Sequence, residues 1–500
     1  MQWPRASGVL VHPTSFPGRF GIGDLGPGAL AMLDYLAAAR QTLWQVLPLG
    51  PTGYGESPYS LLSAFAGNPW LISPELLVAD GLLRTRELAD APTFPTRRVA
   101  YRRVGPWKEA LLRRSFARLG KPPARELCQR FAAFRAEQRD WLEDYALFLA
   151  LKAAHGGAAW VEWPAPLRQR APAALAEAHR TLADEVAFHA YTQFLFFRQW
   201  EALRQAAHAR GIRIIGDLAI FVAHDSSDVW AHPDLFALTP DGRPTVVAGV
   251  PPDYFSRTGQ RWGNPLYRWD VLASKGYAWW IERVRQARTL VDIIRLDHFR
   301  GFEAYWEIPA SEPTAEHGRW VPGPGTALFR AIEAALGAVP FIAEDLGLIT
   351  PEVRALQRAL GFPGMRVLQF AFGAGAGNEH LPHNYERGCL VYTGTHDNNT
   401  TRGWFAAAGA EERAHALAYL GTTPKQVVWE MMRAALASIA DLAIIPLQDL
   451  LELSHAARMN TPAKSGGNWA WRCTSSQLAP PIAERLAALT TLYGRAEPRW

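Results

Sequence analysis

Five apolar runs in this 500-residue chain end in side chains able to move protons or bind hydroxyl groups. IRIIGDLAI (212–220) carries Asp217, and VDIIRLDHFRG (291–301) carries Arg295, Asp297 and His298. VPFIAEDLG (339–347) carries Glu344 and Asp345, CLVYTGTHD (389–397) ends in His396 and Asp397, and LAIIPLQDLL (442–451) holds Gln448 and Asp449. Cleaving a glycosidic bond needs one carboxylate at the anomeric carbon and one carboxylic acid at the leaving oxygen. Asp297 suits the first task, because Arg295 two residues earlier shares its strand face and holds it ionised. Glu344 suits the second, since desolvation and the negative Asp297 would keep it protonated. Asp397 would bind ring hydroxyls and stabilise a cation-like sugar, with His396 and Asp217 adding hydroxyl contacts. Each acid alone has a plainer use, capping the next helix or pairing with an arginine.

The same atoms admit rival chemistries. Asp217, His298, Glu344, His396 and Asp397 are also candidate ligands for a hydrolytic metal, although no HxxxH pair or comparable compact motif is present. A Ser–His–Asp hydrolase would need a GxSxG elbow, which is missing. The phosphate-loop pattern is missing too, and GAGAG (373–377) is weak evidence for a nucleotide.

Such residues need a frame that brings distant strand ends together. Three further apolar runs complete a set of eight: GVLVHPTSFP (8–17), TLWQVLPLG (42–50) and MRVLQFAF (365–372). Most are continuous rather than alternating, as in parallel strands covered on both faces. Helical spacing of apolar residues recurs at 28–40, 185–210, 277–290, 326–337, 351–360, 424–440 and 482–492. Pro351 and Pro424 read as first-turn prolines after capping Thr350 and Thr423. The alternation predicts a single α/β domain over 1–500, a (β/α)8 TIM barrel with its site at the C-terminal strand ends. A doubly wound sheet is the structural alternative.

Spacing adds detail to the frame. About 160 residues separate the second and third runs, several times a normal crossover. They predict a largely helical insertion over 51–185, and 221–276 reads as a loop-rich insertion without a long helix. Both belong around the barrel mouth. No C-terminal β-sandwich is expected after the eighth run. Trp44 and Trp306, close to strands, are expected to pack the barrel.

Composition narrows the classes. Hydrophobic residues make up 49% and charged residues 20%, which fits a globular chain. No apolar run approaches a membrane span, and the start MQWPRASGVLVHP lacks a secretion-signal layout. Net charge is +5, and arginines are interspersed with acids, so nucleic acid is not implied. Cys128, Cys389 and Cys473 lie far apart without metal spacing, consistent with a reduced, cytoplasmic protein. The 20 tryptophans serve either a large core or a surface that stacks on sugars or bases.

Several blocks then become recognisable together. RLDHFRG (295–301), AEDLG (343–347), YTGTHDNNT (392–400), GYGESPYS (53–60), AFAGNP (64–69) and GDLAIFVAHDS (216–226) resemble those of amylomaltases, the 4-α-glucanotransferases or disproportionating enzymes. VAGVPPDYFSRTGQRWGNPLYRWD (247–270), RMNTP (458–462) and GNWAWR (467–472) extend the likeness along practically the whole chain. The resemblance implies a retaining transferase of the α-amylase clan that needs no metal or other cofactor. It implies Asp297 as nucleophile, Glu344 as general acid/base and Asp397 as transition-state stabiliser. Tyr59, Asp217, Arg295, His298 and His396 should line the donor subsite. Ser57, Tyr254, Phe255, Gln260, Trp262 and Asn460 should lie along the glucan groove, and the Trp469/Trp471 pair falls in a block tied to it. Tyr54 and Tyr101 are weaker candidates for an outer contact, and Tyr101 reads better as a plain surface residue. Substrates would be α-1,4-glucans and maltooligosaccharides, with glucose as an acceptor and large cyclic glucans (cycloamyloses) as intramolecular products. An amylase-type hydrolase using the same carboxylates is the alternative reaction. The family pattern is broken in three places: Gly373 after FAF, Ala463–Lys464 after RMNTP, and His224 before Asp225–Ser226.

Overall fold

The first half of the described chain supplies strands β1 Ala6–Leu10, β2 Leu43–Val46, β3 Arg213–Ala219 and β4 Val246–Val250. Then follow β5 Gln260–Pro265, β6 Ile293–Asp297, β7 Ala304–Pro309 and β8 Arg319–Pro322. Last come β9 Phe341–Ala343, β10 Gly364–Val367, β11 Cys389–Tyr392 and β12 Leu442–Pro446. The structure, a computed structural model, describes residues 3–122, 124–252, 256–462, 464, 466–498 and 500.

Eight of these strands pair in parallel, in the order β10-β11-β12-β1-β2-β3-β6-β9. A doubly wound sheet would leave its two outer strands apart. Here they meet: the Ala343 N–H donates to the Pro363 carbonyl at 2.9 Å across the seam between β9 and β10. The result is a (β/α)8 barrel. Every residue of β1, β2, β11 and β12 is buried, which explains why their sequences are unbroken apolar runs. Gly8 is required on packing grounds, because a Cβ there would sit 2.2 Å from the Leu43 carbonyl oxygen on the next strand. Trp44 is fully buried against Phe16 and Trp200, with its indole N–H donated to the Val11 carbonyl at 2.8 Å.

Helices lie where the apolar spacing predicts them: Pro27–Ala38, Ala183–His208, Ala278–Leu290, Gly325–Leu336, Pro351–Leu360, Val427–Ala437 and Pro480–Leu492. Their capping differs in part. Pro351 does open its helix, but the Thr350 side chain makes no cap hydrogen bond. Helix Val427–Ala437 begins three residues after Pro424, with Gln426 as its N-cap, so Thr423 does not cap it. Between β2 and β3 run helices Tyr101–Phe116, Arg125–Glu137, Arg139–Ala154 and Pro172–Thr181. No helix among the described residues is long and apolar enough to cross a membrane.

The stretch read as loops is more ordered than expected. β4 and β5 fall inside 221–276 and join β7 and β8 in an antiparallel sheet of order β5-β4-β7-β8. β5, β7 and β8 are short, mix polar with apolar residues and are partly exposed, so neither alternation nor a continuous apolar run marks them, while β4 is a five-residue apolar run, VVAGV, that contains Gly249. Trp306 belongs to this sheet rather than to the barrel. It packs against Trp320 and donates to the Ala315 carbonyl at 2.9 Å.

The end of the chain is tied back to the start of the barrel by one buried side chain. Arg495 is 0% exposed and donates to the carbonyls of Leu436, Ala440, Asp441 and Ala6 at 2.7–2.9 Å, and to Ser438 at 3.2 Å. Arg5 donates to three of the same carbonyls, Leu436, Ser438 and Ala440, and the Ala6 N–H to that of Asp441, so removing Arg495 takes one donor from each and leaves a buried hole behind. Arg495→Ala should therefore lower stability by about 3 kcal/mol in urea or thermal unfolding. Arg354→Ala, which deletes an exposed pair with Glu379, should change it by less than about 1 kcal/mol. Equal effects for the two would contradict this account.

Candidate active site

Register places the central cation. β3 and β6 align Asp217 with Arg295 and Ala219 with Asp297, and Arg295 and Asp297 share one face of β6. The Arg295 guanidinium, only 3% exposed, donates from one nitrogen to Asp217 Oδ2 at 2.8 Å and to Asp297 Oδ1 at 3.2 Å. Its Nε faces Met365 Sδ at 3.4 Å. Asp217 Oδ2 also accepts from the Tyr59 hydroxyl at 2.6 Å. Expected to touch substrate, Asp217 instead has a side chain closed off from solvent and stands behind Arg295. Asp297 is the partner that reaches the pocket, with 28% of its side chain exposed.

Glu344 lies one residue beyond β9, and two backbone N–H groups fix its carboxyl. His298 N–H donates to Oε2 at 2.7 Å and Leu346 N–H to Oε1 at 3.1 Å. Burial, helped by the negative Asp297 and opposed by Arg295, pushes the Glu344 pKa up to about 8. Asp297 is also raised, by burial above all; the adjoining guanidinium offsets part of this and Asp217 adds to it. The two carboxyls thus sit in contrasting settings, one beside a cation and one held by neutral dipoles. His298 is kept neutral, because burial lowers its pKa to about 3.

Asp397 is close enough for its charge to act on Asp297, and 48% of its side chain is exposed. Asn460 Nδ2 donates to its Oδ1 at 2.6 Å, and His396 Nε2 lies 3.4 Å from its Oδ2. Arg458 donates to the Asp397 carbonyl at 2.6 Å, and Asn460 N–H to the His396 carbonyl at 3.1 Å. The His396 ring stacks on Tyr59 with centroids 5.2 Å apart and planes 13° from parallel. Trp469 packs against both rings at 5.9 Å. Its carbonyl accepts from the Tyr101 hydroxyl at 2.7 Å, so Tyr101 is a half-buried strut and not the plain surface residue its sequence context suggests.

The remaining expected residues divide. Trp262, 38% exposed on β5, meets the His298 ring edge-on at 4.8 Å and donates to Gln260 Oε1 at 3.2 Å. Ser57 accepts from the Tyr59 N–H at 3.2 Å, and Tyr54 is 82% exposed near it. Tyr254 and Phe255 lie outside the described residues, as does Ala463. Asp345 and Asp449 turn away from the pocket. The first accepts from the Met365 N–H, the second from Thr393 and Thr401, all at 2.6 Å. Gln448 is buried, and its amide donates to the Ala457 carbonyl at 3.4 Å. Of the departures, His224 bonds the Gly242 carbonyl at 2.8 Å and packs on Trp160, while Gly373 faces open space. Sequence reasoning passed over His12, a buried imidazole just beyond β1 with its Nδ1 2.8 Å from Thr14 Oγ1. Applying the strand-end rule to the first run would have found it. Among the described residues, no group of three or more His, Cys, Asp or Glu side chains could hold a metal ion.

Known proteins resemble this chain along nearly its whole length. A family model described as 4-alpha-glucanotransferase matches residues 11–477. The 4-alpha-glucanotransferase of Thermus thermophilus is 55% identical over 497 residues, covering 98% of this chain and 99% of the relative. The chloroplastic/amyloplastic 4-alpha-glucanotransferase of Solanum tuberosum is 45% identical over 501 residues, 98% of this chain and 86% of the relative. Among solved structures, amylomaltase from Streptococcus agalactiae in complex with acarbose is 38% identical with a TM-score of 0.95, covering 98% of this chain and 99% of that one.

The electrostatics can be checked without any substrate. In protein labelled with carboxyl-13C glutamate, one carboxyl, identified by its loss in Glu344→Gln, should titrate near pH 8. Asp297→Asn removes the neighbouring negative charge and should move that titration down. A Glu344 carboxyl that ionises in the ordinary range, about 4–5, would contradict the assignment.

Proposed function

The chain belongs to the 4-α-glucanotransferase family, and from that premise we propose how its three pocket carboxyls move a glucan segment. It is an enzyme with 4-α-glucanotransferase activity. One observation carries the mechanistic reading. Arg295 stabilises a negative charge on Asp297, while burial keeps Glu344 protonated beside it. A nucleophile and an acid are thereby available at the same pH.

In the proposed first step, Asp297 attacks the anomeric carbon of an α-1,4-glucan. The bond to the leaving oxygen breaks, its electron pair stays on that oxygen, and Glu344 gives it a proton. A glycosyl–Asp297 ester remains. In the second step the 4-hydroxyl of an acceptor glucan, or of glucose, gives its proton to the Glu344 carboxylate and attacks the same carbon. Asp297 leaves, and the configuration is retained. Asp397, fixed by Asn460, is set to bind the ring hydroxyls of the strained sugar. Tyr59, His396, Trp262, Gln260 and Ser57 are proposed glucan contacts, with Tyr254 and Phe255 alongside them. When the acceptor is the other end of the same chain, the product is a cyclic glucan. With three unpaired cysteines, the enzyme is proposed to work in the reducing cytoplasm.

Maltotriose separates the reading from hydrolysis. Transfer yields a ladder of longer oligosaccharides plus glucose with no net gain in reducing ends, and excess chelator leaves it unchanged. Steady growth of reducing ends would sink the transferase assignment. Asp297→Asn and Glu344→Gln should each cut transfer by about a thousandfold or more. Because the first step needs protonated Glu344, kcat/KM should fall about tenfold per pH unit once pH rises past about 8.

A further inference from the structure

His298 carries the left-handed backbone angles φ 52° and ψ 50°, although it is not glycine. Residues with a Cβ rarely adopt this region. Successive N–H groups of an extended strand point to opposite sides; a left-handed residue turns them together. Here both reach the same neighbour. The His298 N–H donates to Glu344 Oε2 at 2.7 Å, and the Phe299 N–H donates to the Glu344 carbonyl at 3.1 Å. Glu344 N–H returns a bond to the Leu296 carbonyl at 3.0 Å, just before Asp297. The next residue, Arg300, donates to the Leu348 carbonyl and lies 3.7 Å over the Trp320 ring. Residues 296–300 therefore grip 344–348 at four points, with Asp297 in the middle of the grip. The His298 ring takes no part: its Nε2 is buried without a hydrogen-bond partner among the described residues, and it meets Trp262 in a T-shaped contact.

We propose that His298 is a positioning residue for the acid/base, acting through its left-handed backbone rather than its imidazole. The turn holds the Glu344 carboxyl at a fixed place relative to Asp297 on the adjoining strand. This inference rests on the assignment of Asp297 as nucleophile and Glu344 as acid/base.

Two substitutions separate backbone from ring, because both delete the imidazole. Glycine adopts the left-handed angles freely, whereas β-branched valine resists them. His298→Gly should keep the basic limb of the pH profile where the parent has it. His298→Val should move that limb by a pH unit or more and transfer maltotriose at least tenfold more slowly than His298→Gly. A second donor–acceptor pair shows whether the damage is confined to proton transfer. α-Maltosyl fluoride loses fluoride with the bonding pair and needs no acid. Azide then attacks the anomeric carbon as an anion, displaces Asp297 and needs no base. With this pair the two variants should turn over within about threefold of each other. The proposal is overturned if His298→Gly falls as far as His298→Val on maltotriose, or if His298→Val is equally damaged with fluoride and azide. Glu344→Ala is the separate check on the underlying assignment. It should fail on maltotriose and recover with fluoride and azide, whereas maltotriose transfer that survives in it overturns the assignment and the role of the turn together.

Discussion

A buried guanidinium sets the terms for everything around it. Taking a cation out of water costs several kcal/mol, so Arg295 persists at 3% exposure only with good partners. It has two carboxylates, and they are not equivalent. Asp217 is sealed in and braced by Tyr59, so its charge is committed to the cation. Asp297 is partly open, and its charge is the one a substrate can meet. Had Arg295 faced Asp297 alone, removing that charge by ester formation would have left an unpaired buried cation. Asp217 remains a hydrogen-bonded partner of the cation throughout the proposed cycle.

Glu344 requires the opposite environment within the same small volume. It gains no direct ion pair in the structure, only two backbone N–H groups, and burial outweighs their preference for the ionised form. Strand register solves the problem. β6 presents Arg295 and Asp297 on one face, and the backbone reversal at His298 carries the chain across to the end of β9. Asp397 is held differently, from the loop at 458–472. That loop depends in turn on the helical stretch between β2 and β3. Val99 N–H donates to the Ala470 carbonyl at 2.8 Å, Arg472 N–H to the Arg97 carbonyl at 3.0 Å, and Tyr101 to Trp469. The insertion is thus part of the scaffold of the pocket and not only a cover for it.

The barrel was legible, and Asp297, Glu344 and Asp397 could be picked out as candidates, because both readings rest on short-range pattern. Continuous apolar runs mark parallel strands, and polar residues just after them mark one end of the barrel. What stayed hidden depends on which neighbour a residue meets. Nothing in GDLAI distinguishes an acid that faces sugar from one that stands behind an arginine, so Asp217 was placed one layer too far forward. Tyr101 reads as surface until its hydroxyl is seen on Trp469. β7 and β8 escaped notice because each is short and half exposed, and gains its hydrogen bonds from strands distant in sequence. Arg495 looks like one more arginine in a polar tail, yet five carbonyls converge on it.

The tryptophans show how one composition serves two uses. Trp44, Trp200 and Trp280 are fully buried, and their bulk fills the space between strands and outer helices. Trp262 is exposed on one side and packs by its other on the His298 ring, so its position follows the same turn that fixes Glu344. Trp469 lies between the two regimes. It is 6% exposed, adopts a left-handed φ of 59°, and presses on Tyr59 and His396. Through Tyr59 it reaches the hydroxyl that bonds Asp217, and through His396 it reaches the neighbour of Asp397. An aromatic wedge is well suited to that place. It excludes water from beneath the pocket, which strengthens the Arg295 pairs, and it contributes no charge that would compete with them.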